Sequence, residues 1–164
     1  MTLLTVAALL CSSPALALDP PRGGATFGLG VGGGTGISGL SGKYWLGEHN
    51  AFQGIVGTYG SGRYKDYAGN TYYTGLGIGL DYLYEMPSLV ETEPVIIGWN
   101  LGFGASVGLA DNTFVGAAGV LGLEADFQPV PIDLVLEYRP GLLLYPGVGA
   151  DLWNFTGQLR FYFL

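Results

Sequence analysis

Nine ionisable residues are spaced so that they could act together: Lys43, Asp81, Glu85, Glu124, Asp126, Asp133, Glu137, Arg139 and Arg160. Within each local group the spacing is even (81 and 85, 124 and 126, 133, 137 and 139), which puts the side chains on one face of an extended strand. Three of the nine are basic and six acidic, so the set carries a charge of about −3 if all ionise. Two kinds of chemistry follow. In the first, each base sits between carboxylates in an ion-paired filling that fixes strand register, because an unpaired buried charge is expensive. In the second, the acidic surplus lines a narrow, weakly cation-selective pore, since a ring of carboxylates attracts cations.

Other short patterns lead nowhere chemically. The stretch Gly28-Leu29-Gly30-Val31-Gly32-Gly33 fits G-x-G-x-x-G, but no helix follows to receive a phosphate. Asn154-Phe155-Thr156 fits a glycosylation sequon but falls inside a predicted strand. His49 is the one histidine. A lipid-modifying enzyme of barrel type needs a histidine near a serine and a carboxylate at the outer rim, within hydrogen-bond reach. His49 instead falls in the turn Gly47-Glu48-His49-Asn50, at the opposite end. No catalytic residue is therefore assigned and the chain is read as a non-enzyme. One histidine and one cysteine, Cys11, also make a poor soft-metal set, so no metal and no cofactor is expected. A net charge of −7 argues against nucleic acid, because few bases are present to neutralise phosphates.

The elements that must position the nine charges read as membrane strands. Only 12% of the 164 residues are charged, while 30 are glycine and 11 tyrosine. That is too few charges for a soluble surface, which carries roughly 25–35%. After the N-terminus no unbroken apolar run is long enough for a spanning helix. A membrane barrel strand alternates apolar-out with small-or-polar-in over about ten residues. From Val95, the odd positions through Leu109 are apolar, and the even ones are mostly glycine with Asn100 and Ser106. From Tyr72 to Met86, from Val115 to Phe127, from Ile132 to Leu144 and from Trp153 to Phe163 the pattern repeats. It is fainter from Phe27 to Gly32 and from Leu40 to Leu46. It is weakest from Ala51 to Tyr59, where Gln53 inside puts Phe52 and Val56 outside.

The large apolar residues define the outer faces, and every one of the nine strand charges then falls on the other face. A basic residue on the lipid face near the midplane costs roughly 2–4 kcal/mol, so this sorting supports the assignment. Eight strands and seven connections give an all-β, eight-stranded antiparallel transmembrane up-and-down barrel with both termini on the periplasmic side. The connections are Gly33 to Gly36, Gly47 to Asn50, Ser61 to Asn70, Pro87 to Pro94, Asp111-Asn112, Pro129-Val130-Pro131 and Pro146 to Asp151. Ser61 to Asn70, with Arg63, Lys65 and Asp66, is the longest extracellular loop. Tyr44, Tyr82, Tyr84, Phe127, Phe161 and Phe163 are expected at the periplasmic ends of their strands, and Tyr72, Trp153 and Phe155 at the outer ends. Two interfacial aromatic belts would result. A soluble, ligand-carrying barrel is the inverted alternative. It fails on polarity and on volume, since eight strands enclose only enough room for side chains.

The first residues read as an export signal. Thr2 to Leu10 is apolar, and Ala15-Leu16-Ala17 offers a cleavage site, giving a signal peptide at 1–17 and a barrel domain at 18–164. Bulky Leu10 before Cys11 argues against lipidation there. The mature chain is then free of cysteine.

The segments Gly39-Leu40-Ser41-Gly42-Lys43-Tyr44-Trp45-Leu46, Asp81-Tyr82-Leu83-Tyr84, Pro131-Ile132-Asp133-Leu134 and Arg160-Phe161-Tyr162-Phe163 resemble a largely uncharacterised family of small bacterial outer-membrane barrels, similar in architecture to the OmpA membrane domain and OmpX. The resemblance implies an outer-membrane location, contact with outer-membrane lipid, insertion by the barrel-assembly machinery and a monomeric barrel. It supplies no catalytic signature. Such chains usually end on an aromatic residue, whereas here Phe163 is penultimate and Leu164 is last. The functional expectation is a structural or surface-interaction barrel with a filled lumen. A narrow pore and a lipid-modifying enzyme are the alternatives.

Overall fold

The computed structural model describes residues 25–59, 75–109, 113–128 and 130–163. Residues 1–17, expected as a signal segment, lie outside the described residues, as do Tyr72, Arg63, Lys65, Asp66, Asp111, Asn112 and Leu164. Among the described residues the elements are all strands: β1 (Phe27–Gly34), β2 (Ile37–Trp45), β3 (Asn50–Tyr59), β4 (Gly75–Glu85), β5 (Val90–Glu91), β6 (Val95–Leu109), β7 (Phe114–Phe127), β8 (Ile132–Tyr138), β9 (Gly141–Tyr145), β10 (Gly149–Asp151) and β11 (Phe155–Phe163). Every pairing is antiparallel. The sheet runs β11, β1, β2, β3, β4, β6, β7, β8 and returns to β11, closing an up-and-down barrel of eight staves.

Proline accounts for two of the three breaks that divide eight staves into eleven strands. Pro140 has no N–H to give the ladder, so β8 and β9 are two halves of one stave. Across the break Arg139 N donates to Asn154 O at 2.7 Å, and Gly119 N donates to Pro140 O at 2.9 Å. β10 pairs with β9 and leads into β11, which shortens the expected Pro146 to Asp151 connection to residues 146–148. The Pro87 to Pro94 connection also needs correction. Met86 N donates to Trp99 O and Leu89 N to Ile97 O, so the β4 stave passes irregularly over Pro87 and resumes as β5. The turn itself is only Thr92-Glu93-Pro94, closed by Thr92 N donating to Val95 O at 3.0 Å.

The stagger of the barrel can be read from its registers. From Arg160 one way round, the partners are Asp133, Asp126 and Ile96. The other way they are Gly30, Ser41, Ile55, Gly79 and Ser106. Both paths end on β6, and 106 minus 96 gives a stagger of ten residues. Such a stagger tilts the strands by about 40° to the axis and leaves a lumen that side chains can fill.

Side chains sort by face. Outward residues such as Leu40, Leu80, Phe103 and Leu136 are exposed. Inward aromatics qualify the expectation that rings face out and glycines face in. Trp45 and Tyr162 are buried in a cluster with Ala25, Ala51, Leu83 and Val120. At the other strand ends Tyr59 and Phe114 are buried with Ile37 and Leu143. Tyr59 and Phe114 stack with centroids 4.1 Å apart, although β4 and β6 separate their strands, so the stack crosses the lumen.

The outer aromatics do not form a simple ring. Phe163, Phe27, Tyr44, Phe52, Tyr82 and Phe103 are successive register partners over six staves. Because the ladder is tilted, each step climbs about 3 Å along the axis, about 15 Å in all. The row is a ramp from the rim at Phe163 to the middle of β6 at Phe103. Phe127 and Phe161 flank its low end and Tyr84 lies below Tyr82 on β4, while Phe155 and Trp153 stand exposed toward the opposite rim.

Candidate functional site: an ion-paired lumen

The nine charges are delivered by β2, β4, β7, the β8–β9 stave and β11, and all nine are buried. Glycine makes room for them. A Cβ on Gly104 would sit 1.8 Å from Asp81 Oδ1, and one on Gly28 would sit 2.9 Å from the Tyr162 ring. In both cases the large side chain lies over its register partner on the neighbouring stave, a residue without one.

Each base lies between carboxylates. Lys43 Nζ is 2.6 Å from Glu124 Oε2 and 2.7 Å from Glu85 Oε1, and it sits 4.4 Å from the centroid of the Trp45 ring. Arg139 grips Asp81 with two parallel bonds, Nη1 to Oδ2 at 2.7 Å and Nη2 to Oδ1 at 2.6 Å. Its Nη1 also donates to Glu137 Oε2 at 3.0 Å. Arg160 donates from Nε to both oxygens of Asp133 at 3.1 and 3.0 Å, with Nη2 2.8 Å from Oδ2. Its Nη2 is 3.9 Å from Glu124 Oε1, a longer contact that links it to the lysine group. The Tyr162 hydroxyl donates to Asp133 Oδ2 at 2.8 Å.

Neutral side chains join these pairs, and the list of charges misses them. Gln53 accepts from Arg160 Nη1 at 2.6 Å and donates to Glu137 Oε1 at 2.7 Å. Ser41 donates to Gln158, and Asn100, the register partner of Glu85 and Gly122, is wholly buried elsewhere on the inner wall. The signal that finds them is the same alternation, applied to uncharged polar residues at inward positions.

The carboxylates of Glu124, Asp126 and Asp133 offer oxygens within 4.8 Å of one another, close enough to share a cation. Lys43 already holds Glu124, and Arg160 with Tyr162 already holds Asp133, so side-chain cations and a hydroxyl meet that demand. Nearer the opposite end a cavity of about 40 Å³ touches Arg139, Gln53, Gln158, Thr156, Asn154 and Tyr59. That is room for a water or two, beneath the Tyr59–Phe114 stack. His49 lies apart from all of this. Its ring stacks on Tyr84 with centroids 5.6 Å apart, and its Nδ1 is 3.2 Å from the Glu85 carbonyl. The Asn154-Phe155-Thr156 segment enters β11, with Thr35 Oγ1 donating to Asn154 Oδ1 at 3.0 Å. The glycine motif at 28–33 is plain strand.

The fold and the site together define a closed eight-stranded antiparallel barrel whose lumen is filled by an ion-pair network. Comparison with protein-family models, with curated proteins and with solved structures finds no match for the chain.

Proposed function

We propose that this protein is an integral outer-membrane barrel with a non-enzymatic structural or surface-interaction role. On this reading it is exported through a signal peptide at 1–17 that is cleaved, inserted by the barrel-assembly machinery, and monomeric in outer-membrane lipid. The observation that carries the reading is the inverted distribution of polarity. Phe103 is 67% and Leu136 61% exposed, while Lys43 and Asp133 are wholly buried. A water-soluble barrel would place those two sets the other way round, since large contiguous apolar surfaces are not left to water. The resemblance to small OmpA- and OmpX-like barrels points the same way. The test is membrane fractionation combined with gel mobility before and after heating. Outer-membrane recovery with a heat-sensitive mobility shift is expected. A freely soluble chain with one mobility would overturn the reading.

The ion-paired filling favours a closed lumen over a pore. A planar bilayer containing the purified protein should stay silent; steady ohmic current reduced by Glu137→Gln would establish the pore instead. The lipid-modifying alternative has His49 as its one histidine, held on Tyr84 at a turn. Unchanged lipid A on overexpression is expected.

A further inference from the structure

The wall is not equally tall all the way round. The β1–β2 hairpin is short, with 8 and 9 residues, and a turn at Thr35-Gly36 closes it. Its outward apolar residues are Phe27, Leu29 and Val31 on β1 and Leu40, Tyr44 and Leu46 on the second arm. Above Leu40 the outer face turns polar. Ser38 pairs with Thr58 on β3, and Thr58 Oγ1 donates to the Ser38 carbonyl at 3.4 Å. On the opposite flank β6 has 15 residues and β7 has 14. There the outward apolar set runs from Ile97 to Leu109, joined by Val115 on β7 and by Leu142 and Leu144 on β9.

Register relates the two flanks once the climb of the row is included. The row that contains Ser38 and Thr58 rises about 9 Å over three steps through Leu76 to Leu109, so the tall flank is still apolar above the level at which the short one turns polar. With a tilt of about 40°, each residue climbs about 2.5 Å along the axis. Leu40 to Leu46 then spans about 15 Å, and Ile97 to Leu109 about 30 Å, against the usual apolar band of about 25 Å. One flank is too short for the bilayer and the other is too tall.

We propose that the barrel sorts its lipid neighbours by length, seating short or thinned acyl chains against β1–β2 and long, extended chains against β6, β7 and β9. This deepens the outer-membrane reading and rests on it. A wall shorter than the local hydrocarbon thins the bilayer beside it, and a taller one thickens it, each at a modest cost per ångström. A barrel with both flanks lowers that cost by recruiting lipids that already match. The surface therefore has a chemical preference in chain length that differs between two sides of one molecule.

With the signal peptide cleaved after Ala17 the mature chain has no cysteine, so single cysteines can carry a fluorophore at Leu40 and at Val115. Both variants are placed in vesicles that mix short-chain and long-chain phosphatidylcholines, with only one of the two brominated to quench. Leu40 should be quenched about twofold more strongly by the brominated short lipid, and Val115 by the brominated long lipid. Adding Ser38→Leu and Thr58→Leu raises the apolar wall of the short flank and should abolish the preference at Leu40. Equal quenching by both lipids at both sites overturns the inference while leaving the barrel in the membrane. Absence of quenching by either lipid would instead overturn the membrane reading beneath it.

Discussion

Gln53 and Arg160 lie 107 residues apart in the chain, yet Gln53 Oε1 accepts from Arg160 Nη1 at 2.6 Å. The same amide donates to Glu137 Oε1 at 2.7 Å, so one neutral residue ties the β11 arginine to the Arg139–Asp81–Glu137 group. Gln53→Leu keeps a bulky side chain there but removes the acceptor facing a buried guanidinium and the donor facing a buried carboxylate. Leaving such groups unsatisfied costs about 1–3 kcal/mol each, more when charged. Urea unfolding in lipid vesicles should show a loss of about 3 kcal/mol. A change under about 0.5 kcal/mol would mean that water replaces Gln53 without penalty.

Arg139 and Asp81 should be strongly coupled. Their paired bonds at 2.6 and 2.7 Å are made in a lumen where both are largely out of water. Removing one partner of a buried pair costs about 3–5 kcal/mol, because the other charge is stranded. Arg139→Met and Asp81→Asn should each destabilise by that order, and the double variant by clearly less than their sum. The measurable quantity is the coupling in a double-mutant cycle, expected at about 2 kcal/mol or more for groups in direct contact. Simple additivity would show that the contact is not energetically important.

Gly104 and Gly98 make a paired test of why the lumen is glycine-rich. Both lie on β6 at even, inward positions. A Cβ at Gly104 meets Asp81 Oδ1 at 1.8 Å and the Leu80 carbonyl at 2.6 Å, whereas a Cβ at Gly98 meets nothing within 4 Å. Overpacking costs about 1–3 kcal/mol, so Gly104→Ala should destabilise by that much and push Asp81 off Arg139. Gly98→Ala should stay within about 0.5 kcal/mol of the parent. Equal effects would show that glycine acts here through the backbone rather than through space.

Much of this was legible because strand periodicity is strict. A period of two puts Asp133, Glu137 and Arg139 on one face whatever the tertiary context, so the charge set could be read without knowing the register. Which base meets which acid depends on the stagger of ten, a global property of the closed sheet that no local window contains. Arg139 therefore finds Asp81 from 58 residues away as well as its near neighbour Glu137. Pro87 has the sequence signature of a turn because it lacks an N–H, although the ladder there skips a bond and continues. The alternation puts Gln53 inside, but an amide without charge does not announce its partners, though it can serve an acid and a base together.

The aromatic ramp gives a prediction that separates it from a belt. Phe27 and Phe103 belong to the same register row, four strand-to-strand steps apart. In a ring at constant depth, arginine would cost the same at either position. In a ramp, Phe27 lies near the rim and Phe103 about 12 Å further along the axis, in the middle of the wall. Arginine costs about 2–4 kcal/mol at the bilayer midplane and about 0–1 kcal/mol near the interface. Phe103→Arg should therefore destabilise the barrel by at least about 2 kcal/mol more than Phe27→Arg when unfolding is followed in lipid vesicles. Leucine at each site controls for the lost ring, whose contacts differ: Phe103 leans on Tyr82 at 5.7 Å and Phe27 stacks on Phe163 at 6.3 Å. Matching arginine penalties, after subtraction of the leucine values, would put both rings at one depth and return the aromatics to a belt.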